Sequence, residues 1–263
     1  MTSRVLYALA FAAVMTLGGV FAIGVAMSLI VGTFPAAGRS LLLAALVEVA
    51  VYGGLSAWLL RDFEAPRARL GLGSTSLELL LLGAVLGVVM HGPADFVEAW
   101  IERWLPLPDA VLFERASRLS PSSVTERAWL LFAAAGLVPL AEEAFFRGAL
   151  LAWVGRATTL RFAGWVSAAC FTLSHAEPRS WPALAVVAGA LGLLRWSSHS
   201  LLPCILLHAT FNATTLAVIY AQPRESLGRS EPSWLLFGVG GALSVALLLR
   251  AWRRRPEPSE TPV

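Results

Sequence analysis

The chain has 263 residues, 57% of them hydrophobic and 14% charged, and its mean hydropathy of +0.70 lies outside the range of soluble globular domains. The net charge of +3 is small, so no nucleic-acid-binding reading is warranted. Cys170 and Cys204 stand singly in apolar runs, form no CxxC pair or disulfide framework, and read as packing residues. The composition predicts an all-α fold, a polytopic membrane helical bundle.

Eight apolar runs are candidates to cross a hydrocarbon core of about 30 Å: Val5 to Val31, Ser40 to Leu60, Leu77 to Met90, Val124 to Val154, Phe162 to His175, Trp181 to Trp196, Leu201 to Tyr220 and Trp234 to Arg250. The first run exceeds the length of a signal-peptide core, so it reads as a retained transmembrane helix although Gly24-Val25-Ala26 resembles a cleavage site. Phe96, Val97, Trp100, Ile101 and Trp104 share one helical face, which predicts an interfacial helix inside the connection Gly92 to Ser123. Ser123-Val-Thr-Glu126 has the pattern of a capping box and is expected to start the fourth span. Most tryptophans fall near predicted span ends, where an indole prefers the headgroup level. Arg255 to Val263, rich in prolines and acids, reads as a disordered tail. Three segments are expected: helices 1–123 with the interfacial piece, a core at 124–220, and the last helix and tail at 221–263.

Arginine placement sets the expected orientation. Arg253, Arg254, Arg255 and Arg4 put both termini in the cytoplasm, as for a multi-pass protein of a bacterial inner membrane.

The stretch PLAEEAFFRG, Pro139 to Gly148, places three charges inside an apolar run. An ionised group in hydrocarbon costs at least about 2.5 kcal/mol, so such residues pair or act. Glu143 and Arg147 are spaced i, i+4 and can form an ion pair on one face. Glu142 is rotated about 100° away and is left for chemistry. Pro139 removes a backbone bond, expected at the carbonyl of Ala135. Two later spans carry FTLSH, with Phe171 and His175, and HATFN, with His208 and Asn212. Counted from the arginine-rich ends, Glu142, His175 and Asn212 lie about 14 residues deep and His208 about 10, or roughly 15 to 21 Å at the helical rise. Groups at matching depth on opposed helices can face one cavity. Glu48, alone in the second span, reads as a hydrogen-bonded bundle contact ahead of a role at the cavity, and His91 and His199 as residues at span ends without a function.

These motifs resemble the CPBP intramembrane proteases, the Abi or CAAX-protease family that includes the type II CAAX prenyl endopeptidases. Glu142, Glu143 and Arg147 meet EExxxR, Phe171 and His175 meet FxxxH, and His208 and Asn212 meet HxxxN. The resemblance covers about Val124 to Tyr220 and implies peptide-bond hydrolysis in the membrane. Glu142 is then expected to act as the base for water and His175 to help hold that water. His208 and Asn212 would donate to the developing oxyanion, and Glu143, Arg147 and Phe171 would support them. Zinc is an open alternative, with Glu142, His175 and His208 as ligands, although no HExxH is present. Expected partners are membrane lipid and a peptide or membrane-protein substrate, lipidated or not. The alternative function class is a non-hydrolytic accessory or immunity protein, or a proton-coupled transporter using Glu48, Glu142 and Glu143.

Overall fold

The computed structural model describes residues 3–34, 40–222 and 233–254, and every regular element among them is helical. In chain order these are α1 (Ser3–Thr33), α2 (Leu41–Leu60), α3 (Pro66–Leu70), α4 (Leu77–Val89), α5 (His91–Trp104), α6 (Asp109–Leu119), α7 (Val124–Gly155), α8 (Leu160–Ser174), α9 (Trp181–Ser198), α10 (Leu202–Ala221) and α11 (Trp234–Arg253). Side-chain caps start five of them. Ser40, Ser76, Ser123, Thr159 and Ser233 each accept the N–H three residues on, satisfying an orphan donor of the first turn. The cap at Ser123 is the one anticipated from its capping-box pattern.

All eight predicted runs form helices, yet six stretches are long and apolar enough to cross a membrane by length and composition: α1, α2, Leu77–Trp104, α7, α10 and α11. The expected count of eight spans is therefore not confirmed. α8 has 15 residues, short of the roughly 20 a span needs. α9 has 18 residues and ends on Arg195, Trp196, Ser197 and Ser198. The interfacial helix also needs correcting. Met90 keeps helical dihedrals, its N–H bonds Leu86 and its carbonyl accepts from Ala94, so α4 runs into α5 with hardly a break. Trp100 and Trp104 remain exposed at the far end. Phe96 packs on Trp234 and Phe237 of α11, with ring centroids 4.5 and 4.3 Å apart. α6 is an additional amphipathic helix in the connection, and the tail from Arg255 lies outside the described residues.

Close backbone approach replaces large apolar side chains where α4 meets α10. Gly83 and Gly87 present bare backbone to α10: a Cβ on Gly83 would overlap the carbonyl of Pro203, and one on Gly87 the carbonyl of Leu207 and the hydroxyl of Thr210. Such small-xxx-small faces are how helices associate when lipid removes the hydrophobic drive between them. Thr210 uses the closeness, donating to the carbonyl of Ala84 at 2.9 Å. On the other side of the bundle, the buried Tyr52 of α2 packs against Phe145 and Phe146 of α7 at 5.0 and 5.3 Å. Phe11 of α1 stacks on Trp153 at 3.8 Å. α2, α7, α8 and α10 thus surround the polar centre.

Two alanine substitutions should move stability in opposite directions. Gly53→Ala adds a Cβ into open space and gains up to about 1 kcal/mol of helix propensity. Gly87→Ala forces α4 off α10 and should cost about 1 to 3 kcal/mol, read as detergent melting temperature; equal shifts for the two variants would refute the close contact.

Candidate active site

The charged centre is built on α7, which is not a uniform α-helix. Two stretches, Ala133–Leu137 and Ala144–Leu150, are π-helical, a rare wider winding that concentrates at functional sites. In the first, the N–H of Val138 bonds the carbonyl of Ala133, five residues back. The next carbonyl, Ala134, would receive the N–H of residue 139, but that residue is proline and has none. Asn212 of α10 fills the gap, its Nδ2 donating to the Ala134 carbonyl at 2.8 Å. A side chain from another helix thus supplies the hydrogen that the backbone of residue 139 lacks.

Glu142, Glu143 and Arg147 follow on the same helix and are buried, with Glu143 fully so. The i, i+4 ion pair forms: Arg147 Nη1 lies 3.1 Å from Glu143 Oε1. That oxygen also accepts from His208 Nδ1 at 2.9 Å. The other face of His208 turns to Glu142, with Nε2 3.5 Å from Glu142 Oε2. One imidazole therefore bridges the two adjacent carboxylates. Glu143 Oε2 and the Nε and Nη2 of Arg147 have no hydrogen-bond partner among the described residues. Part of the compensation is aromatic, since the Arg147 guanidinium sits 4.2 Å above the ring of Phe171.

Phe171 of α8 is the platform of the cluster. Its ring meets Phe146, His175 and His208 edge-on at 5.4, 4.9 and 5.7 Å. The sequence pattern treats Phe171 and His175 as one helical pair, but α8 ends at Ser174 and His175 is already extended, with φ −79° and ψ 125°. The ring nevertheless turns back. His175 Nδ1 lies 2.9 Å from the carbonyl of Phe171, which can only accept, so Nδ1 is the donor and Nε2 is the acceptor of the neutral ring. Trp181 Nε1 holds the His175 carbonyl at 2.9 Å and fixes the turn.

Glu142, Glu143, Arg147, Phe171 and His208 are thus in direct contact, while no hydrogen bond links His175 or Asn212 to Glu142. The sequence reading undervalued one residue. Glu48 of α2 lies within hydrogen-bonding reach of the Glu142 carboxyl. The signal was present: a lone carboxylate in mid-span is a candidate for function by default. His91 also differs from expectation, because it is not a solvated span end but stacks on Phe211 at 4.1 Å and bonds its carbonyl at 3.0 Å. Cys170 and Cys204 are buried free thiols, in keeping with packing roles.

The residues expected to hold zinc do not fit one. Among the described residues no group of three or more His, Cys, Asp or Glu side chains is gathered closely enough to bind a metal ion. The site is a chain of protein groups: Glu48, Glu142, His208, Glu143 and Arg147.

Fold and site together define a polytopic helical membrane protein with a buried carboxylate–histidine centre. Residues 124–214 match the model of the Rce1-like family, described as type II CAAX prenyl endopeptidase Rce1-like, which agrees with the CAAX-protease resemblance carried by the three motifs. No curated protein and no solved structure matches the chain.

Arg147→Ala should destabilise the protein by about 3 to 5 kcal/mol, because it leaves the fully buried Glu143 with His208 as its one partner. Arg147→Lys should recover part of the loss, since an ammonium can reach Glu143 but covers Phe171 less well. A melting temperature for Arg147→Ala equal to that of wild type would show that the pair carries no load.

Proposed function

We propose that the protein is an intramembrane endopeptidase that hydrolyses a peptide bond of a membrane-associated substrate with water activated by Glu142. The observation that carries this reading is the division of labour between adjacent carboxylates: Glu143 is committed through Oε1 to both Arg147 and His208, whereas Glu142 has no arginine partner among the described residues and faces His208 and Glu48. Glu142 is the group with capacity to take a proton.

The reaction uses the chain's own groups. A water donating one hydrogen to Glu142 and the other to His175 Nε2 has its lone pair free for the scissile carbonyl carbon. As the C–O bond forms, Glu142 takes the proton and charge moves to the carbonyl oxygen. His208, which as an imidazolium keeps Nδ1–H on Glu143 and frees Nε2–H, and the second N–H of Asn212, oriented by Ala134, are the donors assigned to that oxygen. Collapse breaks the C–N bond while Glu142 returns its proton to the leaving nitrogen. Glu143, Arg147 and Phe171 hold the donors in place.

The catalytic core in this reading is 124–220, completed by Glu48 from the N-terminal helices. The Rce1-like match supports a peptide substrate with a membrane anchor, lipidated or not. Orientation rests on charge. The bundle end formed by the C-termini of α2, α7, α9 and α11 carries Arg61, Arg67, Arg69, Arg156, Arg161, Arg195, Arg250, Arg253 and Arg254 against Asp62, Glu64 and Glu78. The opposite end carries fewer arginines among the described residues, Arg103, Arg115, Arg118, Arg127 and Arg179, so the arginine-richer end is assigned to the cytoplasm, with both termini, as for an inner-membrane protein.

Glu142→Gln should insert and melt like wild type yet accumulate uncleaved precursor, measured by quantitative proteomics of membrane fractions. Normal processing by this variant would remove Glu142 from the mechanism. His208→Ala should lower turnover by about 10² to 10³-fold, the usual scale for one oxyanion donor. The same purified, active protein should contain well under one zinc per chain by elemental analysis; one tightly held zinc would replace Glu142-activated water by metal chemistry.

A further inference from the structure

A groove of about 260 Å³ opens on the arginine-rich end of the bundle, away from the carboxylate centre, between α7, α8, α9 and α11. Its floor is bare backbone. Gly164 of α8 and Gly189 and Gly192 of α9 line it, and a Cβ on any of the three would meet nothing within 4 Å. The space is smaller than the roughly 300 to 1,000 Å³ of sites for drug-sized ligands, so it suits one slender chain. Trp165, Trp196 and Trp252 stand around it, the residues that mark headgroup depth.

Two arginines line the same groove. The exposed Arg161 lies over the ring of Trp196 at 5.0 Å. Arg195 spends Nε on the carbonyl of Arg147 at 3.1 Å and makes no hydrogen bond through its Nη groups among the described residues. Neither arginine has a carboxylate within ion-pair distance among those residues, in contrast to Arg250 and Arg254 nearby, which both pair with Glu78. Leu160 and Arg161 are the first residues of the 15-residue α8, whose dipole also favours an anion there. Two cations, an apolar glycine-floored channel and three tryptophans thus line one groove.

We propose that this groove binds one anionic phospholipid, its phosphate between Arg161 and Arg195 and part of one acyl chain along the glycine floor. The occupant is a lipid and not a peptide because the channel is apolar beyond the two guanidiniums, and it is anionic because neither guanidinium has a carboxylate partner among the described residues. Through the Arg195 to Arg147 contact, the bound phosphate braces the π-helical turn that carries the Glu143–Arg147 pair. The assignment does not depend on hydrolysis taking place at Glu142.

Native mass spectrometry of the detergent-purified full chain, titrated separately with phosphatidylglycerol and phosphatidylcholine, tests it. A single phosphatidylglycerol adduct should form with at least about fivefold preference, the scale of one arginine at a lipid surface. Arg161→Ala, at an exposed position, should lower that affinity about fivefold and leave phosphatidylcholine unaffected. Gly192→Phe fills the channel and should abolish the adduct, with the melting temperature confirming a folded protein. Equal binding of the two lipids, or phosphatidylglycerol binding that survives Arg161→Ala unchanged, would overturn the proposal whatever the protein's activity.

Discussion

A single oxygen, Glu143 Oε1, holds the centre of the molecule together. It accepts from Arg147 one turn further along α7 and from His208 on α10, and it does so with no exposure to solvent. A carboxylate in such surroundings can be ionised only if donors surround it, so the two contacts are conditions for each other. The consequence is geometric. α7 and α10 are fixed in register and His208 is fixed in rotation, which turns Nε2 toward Glu142. Phe171 from α8 then covers the cation. The neighbouring carboxylate is left without the cation because Arg147 and His208 Nδ1 both converge on its twin.

A second layer of order comes from the carbonyls of α7. In a uniform helix these groups are consumed by the backbone ladder, but the widened stretches present several of them to neighbouring helices. Ser167 of α8 donates to the carbonyl of Phe146 at 2.6 Å, Arg195 of α9 to that of Arg147, and Asn212 of α10 to that of Ala134. Three helices therefore dock on α7 by polar contacts to its main chain. In a bilayer, where apolar side chains gain nothing by leaving lipid for one another, such contacts are a principal source of specificity.

Much of this was legible beforehand. Helices show in sequence because hydrocarbon forbids exposed backbone polar groups, so apolar length nearly dictates where they lie. The Glu143–Arg147 pair was legible because it is local, set by helical spacing alone. Its partner His208 was legible as a candidate but not as a bridge between two carboxylates, since that needs the packing of α10 on α7. Glu48 stood without a motif around it, and only the approach of α2 gives it a neighbour. The π turns left no trace beyond Pro139, because a one-residue widening depends on tertiary partners for the displaced carbonyls. The join of α4 to α5 was hidden by a change from apolar to amphipathic composition, which altered the surroundings of the helix without stopping it.

The bond from Asn212 to Ala134 has a consequence for molecular recognition. A carbonyl cannot donate, so the contact decides which end of the carboxamide is nitrogen and stops the side chain from flipping. One N–H and Oδ1 are left over, and Oδ1 makes no hydrogen bond among the described residues. Together they form the pattern complementary to a peptide group, a donor beside an acceptor. By withholding one hydrogen, Pro139 lets a carbonyl of α7 fix the polarity of a carboxamide on another helix, so that any group meeting Asn212 meets a donor beside an acceptor.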